Sequence, residues 1–158
     1  MSLSKGKQFE VKFKEDFKRS IPNSTIDRLY DQISGRKSIR NICDFIGYAY
    51  PNIYYLECKS HLGNTFPLSN LSQYEKLATK VGIKGVRVGV VIWFIEHKKV
   101  IYVPISTVTK MLEYGEKSIN ITKIEKQGYR YIEIPSSEKR VFLDSNYNIL
   151  PALLGEGD

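Results

Sequence analysis

Acidic and basic side chains in this sequence recur with a spacing that metal-dependent phosphodiester chemistry uses. Carboxylates supply the hard oxygen ligands that Mg²⁺ prefers, and a nearby lysine can stabilise the negative charge of a reacting phosphate. The spacing Glu-x-Lys occurs three times, as Glu10-Val-Lys12, Glu57-Cys-Lys59 and Glu96-His-Lys98. Because so short a motif is common by chance, the surrounding sequence must decide between the three copies.

Only the copy at Glu57 lies in a predicted strand with another acid across a turn. The sequence predicts strands over Ile42–Tyr48 and Ile53–Lys59, and the four residues Ala-Tyr-Pro-Asn between them favour a turn. Asp44 lies in the first of these strands, so the hairpin can bring it next to Glu57.

Two registers are possible for this antiparallel hairpin, in which the numbers of paired residues have a constant sum. A turn centred between Tyr50 and Pro51 gives a sum of 101 and places Asp44 opposite Glu57. A turn centred one bond later gives 103 and places Asp44 opposite Lys59. Because side chains alternate between the two faces of a strand, the two acids and the lysine share one face in either register.

The sequence after Lys59 helps to choose between a catalytic cluster and an ordinary ladder of ion pairs on an exposed face, since opposite charges commonly pair across strands. It reads Ser-His-Leu-Gly-Asn-Thr-Phe-Pro-Leu and leads to Gln73, early in a predicted helix over residues 71–80. Asp44, twelve intervening residues, Glu57-Cys-Lys59, the Thr-Phe-Pro-Leu loop and Gln73 together resemble the RecU-type Holliday-junction resolvases of the PD-(D/E)xK nuclease superfamily.

The resemblance covers about residues 5–105 and is most specific over residues 44–73. It implies an α/β fold with a restriction-endonuclease-like core, in which a central mixed β-sheet is flanked by helices, and it implies a homodimer. Cys43 stands at the nominal Pro of the superfamily motif. The insert between the first helix and Asp44 is also shorter than the stalk of the cellular members.

The resemblance assigns roles to five residues. Asp44 and Glu57 correspond to the metal-binding acids, Lys59 to the catalytic lysine, and Gln73 to a glutamine that points at the same site. Glu10 matches an acid of the first helix that often joins the metal site. The implied cofactor is Mg²⁺, for which Mn²⁺ substitutes, and the implied substrate is branched DNA such as a four-way junction. No nucleotide cofactor is expected, because the sequence has no Gly-rich phosphate loop.

Positive charge is concentrated in the N-terminal part of the chain, which has a net charge of +7. Residues 1–42 contain ten Lys and Arg against five Asp and Glu, whereas residues 43–158 contain fourteen against twelve. This distribution favours a polyanionic partner that binds near the N-terminal third. We therefore predict a DNA-contacting insert over residues 20–42. The predicted DNA contacts are Arg28, Arg36, Lys37, Arg40 and, in the loop after the hairpin, His61, for which a general base is the alternative.

Composition and length set the remaining expectations. The 158 residues predict a single nuclease domain over residues 1–158 with a flexible tail over residues 150–158. No apolar run approaches the roughly 18 residues of a membrane span, and the N-terminus lacks the apolar core of a signal peptide. The two cysteines, Cys43 and Cys58, are a poor disulfide framework, so a cytoplasmic location is expected. They are also better explained as buried thiols than as a zinc set with His61 and His97.

Periodicity places the other elements. Phe9, Phe13 and Phe17 form one helical stripe within residues 7–19, and Pro22 ends that helix. Residues 24–42 predict a short helix or a hairpin with an exposed loop. Further strands are predicted over Val86–Ile95, Val100–Ile105 and Tyr129–Ile134, and a short helix from Ser106 or Thr107 to Tyr114. Two other functions remain open: a DNA endonuclease without junction preference, and a non-catalytic DNA-binding protein of the same fold.

Overall fold

A computed structural model describes residues 4–34 and 37–136 of the chain. Arg36 and the predicted tail over residues 150–158 lie outside this part. In chain order the elements are α1 (Lys5–Ser20), β1 (Ser24–Arg28), β2 (Gln32–Ser34), β3 (Lys37–Ile39), β4 (Phe45–Ala49), β5 (Asn52–His61), β6 (Thr65–Pro67), a 3₁₀ turn (Leu68–Asn70), α2 (Tyr74–Ala78), β7 (Val86–Phe94), β8 (Lys99–Pro104), α3 (Ile105–Glu113), β9 (Ser118–Asn120), α4 (Ile124–Gln127) and β10 (Ile132–Ile134).

Six of these strands form one mixed sheet in the order β1-β4-β5-β7-β8-β10. All neighbouring pairs are antiparallel except β5 and β7, which are parallel and are joined by the crossover through β6 and α2. Helices pack on both faces of this sheet. The predicted α/β fold, a central mixed sheet flanked by helices, is confirmed.

Helix α1 covers one face of the sheet with its aromatic stripe. Phe9, Phe13 and Phe17 are each at most 2% exposed, as their i, i+4, i+8 spacing predicts. The ring of Phe13 lies 5.7 Å from that of Phe45 on β4, and the ring of Phe17 lies 6.1 Å from that of Tyr54 on β5. This packing fixes the N-terminal helix against the two strands of the predicted hairpin.

The other helices cover the opposite face over the central strands. Val90 and Ile92 of β7 are buried there together with Val103 of β8, against Leu77 of α2 and Val108 of α3. Strand β7 is apolar on both of its faces because helices cover both, as predicted for a central strand. None of the helices in the described part of the chain is long and apolar enough to span a membrane.

The hairpin of β4 and β5 has the first of the two predicted registers. Phe45 pairs with Leu56 and Ala49 pairs with Asn52, so the numbers of paired residues sum to 101. The turn is therefore centred between Tyr50 and Pro51. Asp44 directly precedes the first paired residue of β4, which places it at the end of that strand, next to Glu57 of β5.

Residues 24–42 differ from the prediction in one element. Of the two predicted alternatives, a short helix or a hairpin, the hairpin is present as β2 paired with β3, but strand β1 precedes it and pairs with β4 as the edge of the main sheet. Only Ile26 of β1 is buried, so the strand lacks the apolar alternation by which sequence patterns reveal strands. Helix α2 is also shorter than predicted, because the 3₁₀ turn and a further turn at Ser72 and Gln73 precede it.

Candidate active site

Asp44 and Glu57 lie side by side at the end of the β4–β5 hairpin. The backbone amide of Cys58 donates a hydrogen bond of 2.8 Å to Oδ2 of Asp44. The Cys58 side chain points to the opposite face, where it is buried with the α1 core. The carboxyl groups of Asp44 and Glu57 are within hydrogen-bonding reach of each other. The hairpin thus brings two acids together that are thirteen positions apart in sequence.

Glu57 is the more perturbed of the two acids. It is 5% exposed. Burial raises the pKa of its carboxyl group to about 8, and the adjacent negative charge and hydrogen bond of Asp44 act in the same direction, against the opposing effect of Lys59. A buried carboxyl group beside a second acid, as Glu57 is beside Asp44, holds a proton near neutral pH in the absence of a cation. Two adjacent carboxyl groups also suit a divalent cation, since the cation can replace the proton between the two oxygen ligands.

Lys59 completes the cluster that the hairpin argument predicts. Its Nζ lies 3.7 Å from Oε2 of Glu57, and its side chain is 30% exposed, so the ammonium group faces the cleft. Lys12 lies on α1 and Lys98 lies in the turn between β7 and β8. The shared face therefore distinguishes Lys59 from the lysines of the other two Glu-x-Lys copies.

Arg28, predicted as a DNA contact in an exposed segment, lies inside this site at the end of β1. Its Nη2 is 3.5 Å from Oδ1 of Asp44, and its Nε is 3.4 Å from Oε2 of Glu10. Its Nη1 donates to the carbonyl oxygen of Asp44 at 3.2 Å. The guanidinium also lies over the rings of Tyr30 and Phe45, and the side chain is only 17% exposed.

Glu10 is paired with two cations, Arg28 and Lys7, whose Nζ lies 3.5 Å from Oε2 of Glu10. The described residues contain no group of three His, Cys, Asp or Glu side chains arranged to hold a metal ion. The guanidinium of Arg28 contacts both Glu10 and Asp44 and links them, and the role of Glu10 as a third metal-binding acid stays a prediction. Asp44 and Glu57 are the adjacent carboxyl groups whose oxygen atoms fit a cation.

A polar cleft of about 390 Å³ opens over the acids. Five of its lining residues were not predicted as site residues, because nothing in their local sequence distinguishes them from ordinary surface residues: Lys7, Tyr30, Asp31, Asn41 and Ser72. The full lining is Lys7, Arg28, Tyr30, Asp31, Arg40, Asn41, Cys43, Asp44, Glu57, Lys59, Ser72 and Gln73. The cleft is therefore rich in cations around the adjacent acids Asp44 and Glu57, which suits a phosphate-containing substrate.

Gln73 and Asn41 connect two parts of the cleft wall. Nε2 of Gln73 donates to the backbone carbonyl oxygen of Asn41, and the backbone amide of Asn41 donates to Oδ1 of Asp31 at 2.8 Å. Nδ2 of Asn41 donates to the carbonyl oxygen of Tyr30. These contacts hold the segment that follows β3, including Arg40, at the rim of the site.

The remaining candidates lie apart from this chemistry or outside the described residues. The ring of His61 packs edge-on against Phe66 and Phe94, with centroids 5.7 and 6.0 Å away. Cys43 and Cys58 are free and buried, as predicted, and burial raises the pKa of the Cys43 thiol to about 12. Lys37 begins β3, and its side chain, like Arg36, lies outside the described part of the chain.

Comparison with known proteins identifies the family. The sequence profile of the RecU family, described as Recombination protein U, matches residues 17–142. The fold is similar to that of Archaeoglobus fulgidus Hjc, described as a Holliday junction resolvase from an archaeal hyperthermophile, with a TM-score of 0.50 and 16% sequence identity over 65% of this chain and 78% of that chain. No curated protein sequence matches. Since the profile covers well over half of its residues, the chain belongs to the RecU family.

Proposed function

We propose that this chain is a metal-dependent endodeoxyribonuclease that resolves four-way DNA junctions by hydrolysing phosphodiester bonds. In a member of the RecU family, the observation that carries the proposal is the pairing of the buried Glu57 carboxyl group with that of the half-buried Asp44, with Lys59 on the same face. A ladder of surface ion pairs would not bury one acid at 5% exposure against another acid.

Asp44 and Glu57 are the residues that would hold the metal ion, which we propose is Mg²⁺, with Mn²⁺ as a substitute. A divalent cation bound there would polarise an oxygen atom of the phosphate and would lower the pKa of a bound water molecule. Asp44 is held in place for this task by the amide of Cys58, and Glu57 by the interior of strand β5. Preorganised ligands of this kind lose little freedom when a substrate binds.

Lys59 is the residue that would act on the reacting phosphate. Its ammonium group is held beside the acids by the 3.7 Å contact with Glu57 and still faces the cleft. A fixed positive charge there stabilises the negative charge that develops during attack on the phosphate, and it can orient the attacking water. Gln73 would contribute by fixing the wall of the cleft through Asn41.

The basic residues at the cleft rim would contact the DNA backbone. Lys7 at the start of α1 and Arg40 after β3 both line the cleft, and both are exposed. Phosphate contacts of this kind position a duplex without reading its sequence. We also propose a symmetric homodimer, because two sites related by a two-fold axis suit paired nicks on opposite strands of a junction.

The test uses a synthetic four-way junction and a linear duplex built from the same arms. We expect cleavage of the junction with Mg²⁺ or Mn²⁺, no cleavage with EDTA, and binding without cleavage with Ca²⁺, which tolerates looser coordination. The Asp44→Asn variant, purified in parallel, controls for a contaminating nuclease. Cleavage that persists in EDTA, or equal cleavage of junction and duplex, would contradict the proposal.

A further inference from the structure

Among the described residues, Arg28 is the side chain that joins Glu10 to the acid pair. Its Nε is 3.4 Å from Oε2 of Glu10, its Nη2 is 3.5 Å from Oδ1 of Asp44, and its Nη1 donates to the carbonyl oxygen of Asp44. The guanidinium carbon also lies 5.3 Å from the ring centroid of Tyr30 and 5.6 Å from that of Phe45, and these cation–π contacts favour this position. The contacts of Arg28 therefore link Glu10 to Asp44.

Four charged side chains in this part of the site contact one another in sequence, and their charges alternate in sign. Lys7 is positive, Glu10 negative, Arg28 positive and Asp44 negative, with successive contacts of 3.5, 3.4 and 3.5 Å. A cation so close to Asp44 competes electrostatically with a metal ion at the same carboxylate. Glu10 counters this competition, since its carboxylate lies 3.4 Å from Nε of the same guanidinium and offsets its charge.

We infer that Glu10 is a positioning residue that acts through Arg28 and not a metal ligand. Its carboxylate holds the guanidinium in a bridging position, so that Asp44 is fixed in orientation and keeps its affinity for a divalent cation. The inference rests on the proposed function, in which Asp44 and Glu57 hold the metal. It differs from a ligand role because removal of Arg28 should also remove the effect of Glu10.

The test is a double-mutant cycle read by metal affinity in the absence of DNA. Mn²⁺ is titrated calorimetrically into the metal-free protein and into the Glu10→Gln, Arg28→Gln and double variants. We expect Glu10→Gln to weaken Mn²⁺ binding roughly tenfold, because the guanidinium then interacts with Asp44 alone. In the Arg28→Gln background the same change should alter the affinity by no more than about twofold.

Two outcomes would overturn the inference. If Glu10→Gln weakens Mn²⁺ binding as much without Arg28 as with it, Glu10 is a ligand or an independent charge. If Glu10→Gln leaves the affinity of the wild-type background unchanged, Glu10 has no influence on the site. Should Arg28→Gln fail to fold, as judged by circular dichroism, Arg28→Lys replaces it. Lysine keeps the charge but cannot bridge both acids, so Glu10→Gln should again have no more than about a twofold effect.

The Asp44→Asn variant separates this inference from the proposed function. It should lose most Mn²⁺ affinity whether or not Glu10 acts through Arg28. If Asp44→Asn binds Mn²⁺ as tightly as the wild type, the assignment of the metal site is wrong, and the inferred role of Glu10 is then wrong as well. If Asp44→Asn loses binding and the cycle shows no coupling, only the role of Glu10 is wrong.

Discussion

The backbone amide of Cys58 donates a hydrogen bond of 2.8 Å to Oδ2 of Asp44, fourteen residues away in sequence. Because Cys58 lies between Glu57 and Lys59, this bond sets Asp44 beside both of them. The Cys58 side chain is buried on the α1 face, so the amide that orients Asp44 is itself held by the core. The position of the acid pair thus depends on packing on the far side of the sheet.

The raised pKa of Glu57 predicts how the stability of the metal-free protein changes with pH. A carboxyl group whose pKa is about 8 in the folded chain and 4.5 when fully exposed to water binds its proton more tightly in the folded state. The free energy of unfolding therefore falls as pH rises from 4.5 to about 8, and the loss is complete above that. Glu57→Gln cannot ionise and should avoid this loss.

Urea unfolding in EDTA measures this effect. Relative to the wild type, Glu57→Gln should raise the free energy of unfolding by about 2–4 kcal/mol near pH 9 and change it little near pH 4. Glu96→Gln, at the exposed turn after β7, controls for the loss of one negative charge. A stability difference for Glu57→Gln that is the same at both pH values would contradict the assignment of the raised pKa to this residue.

Alanine variants of the three Glu-x-Lys lysines should differ in their rate of junction cleavage. Lys59→Ala should lower the single-turnover rate of junction cleavage by roughly 10²-fold or more, because it removes a positive charge from the reacting phosphate. Lys12→Ala and Lys98→Ala should stay within a few-fold of the wild type. Measurement at saturating protein separates rate from affinity. A loss with either control as large as with Lys59→Ala would mean that the hairpin copy is not the catalytic one.

The cations at the cleft rim predict the salt dependence of DNA binding. If Lys7 and Arg40 each contact one phosphate, each Gln variant should reduce the log–log slope of affinity against salt by about 0.9. Lys126→Gln, on the exposed surface of α4 and outside the cleft lining, is the matched control. Arg36 and Lys37 are tested in the same way. An unchanged slope for the Lys7 and Arg40 variants would show that these side chains do not contact DNA phosphates.

The bond from Gln73 to the Asn41 carbonyl predicts an effect on binding more than on rate. Gln73→Ala should release the segment that carries Arg40 and weaken junction affinity by about tenfold, with a single-turnover rate at saturation close to that of the wild type. Gln127→Ala, on the exposed surface of α4, is the control. A large fall in the saturated rate with unchanged affinity would instead assign Gln73 to the ordering of the reacting water.

The hairpin and its site could be predicted because strands alternate faces. The constant index sum restricted Asp44 to a position opposite Glu57 or Lys59, and both alternatives gave the same shared face. The aromatic stripe of α1 was equally readable, since three phenylalanines at i, i+4 and i+8 leave one buried surface. These features depend on local periodicity, which a single sequence displays directly.

Features that depend on distant contacts could not be read in this way. Strand β1 is polar apart from Ile26, and it is a strand because β4 offers it an unpaired edge. The position of Arg28 between Glu10 and Asp44 follows from that pairing, sixteen residues before Asp44. The short strands β6 and β9 pair across more than fifty residues, so neither shows a pattern of its own.

The most direct test of the account is the single-turnover cleavage of a four-way junction by Asp44→Asn and Glu57→Gln in Mg²⁺. Each variant keeps the shape of the side chain and removes one anionic oxygen ligand, so we predict that the rate falls by roughly 10²-fold or more for each. Junction binding should remain within a few-fold of the wild type. Asp27→Asn, an exposed acid on β1, should cleave normally. Near-normal cleavage by Asp44→Asn or by Glu57→Gln would contradict the central claim that this carboxyl pair is the active site.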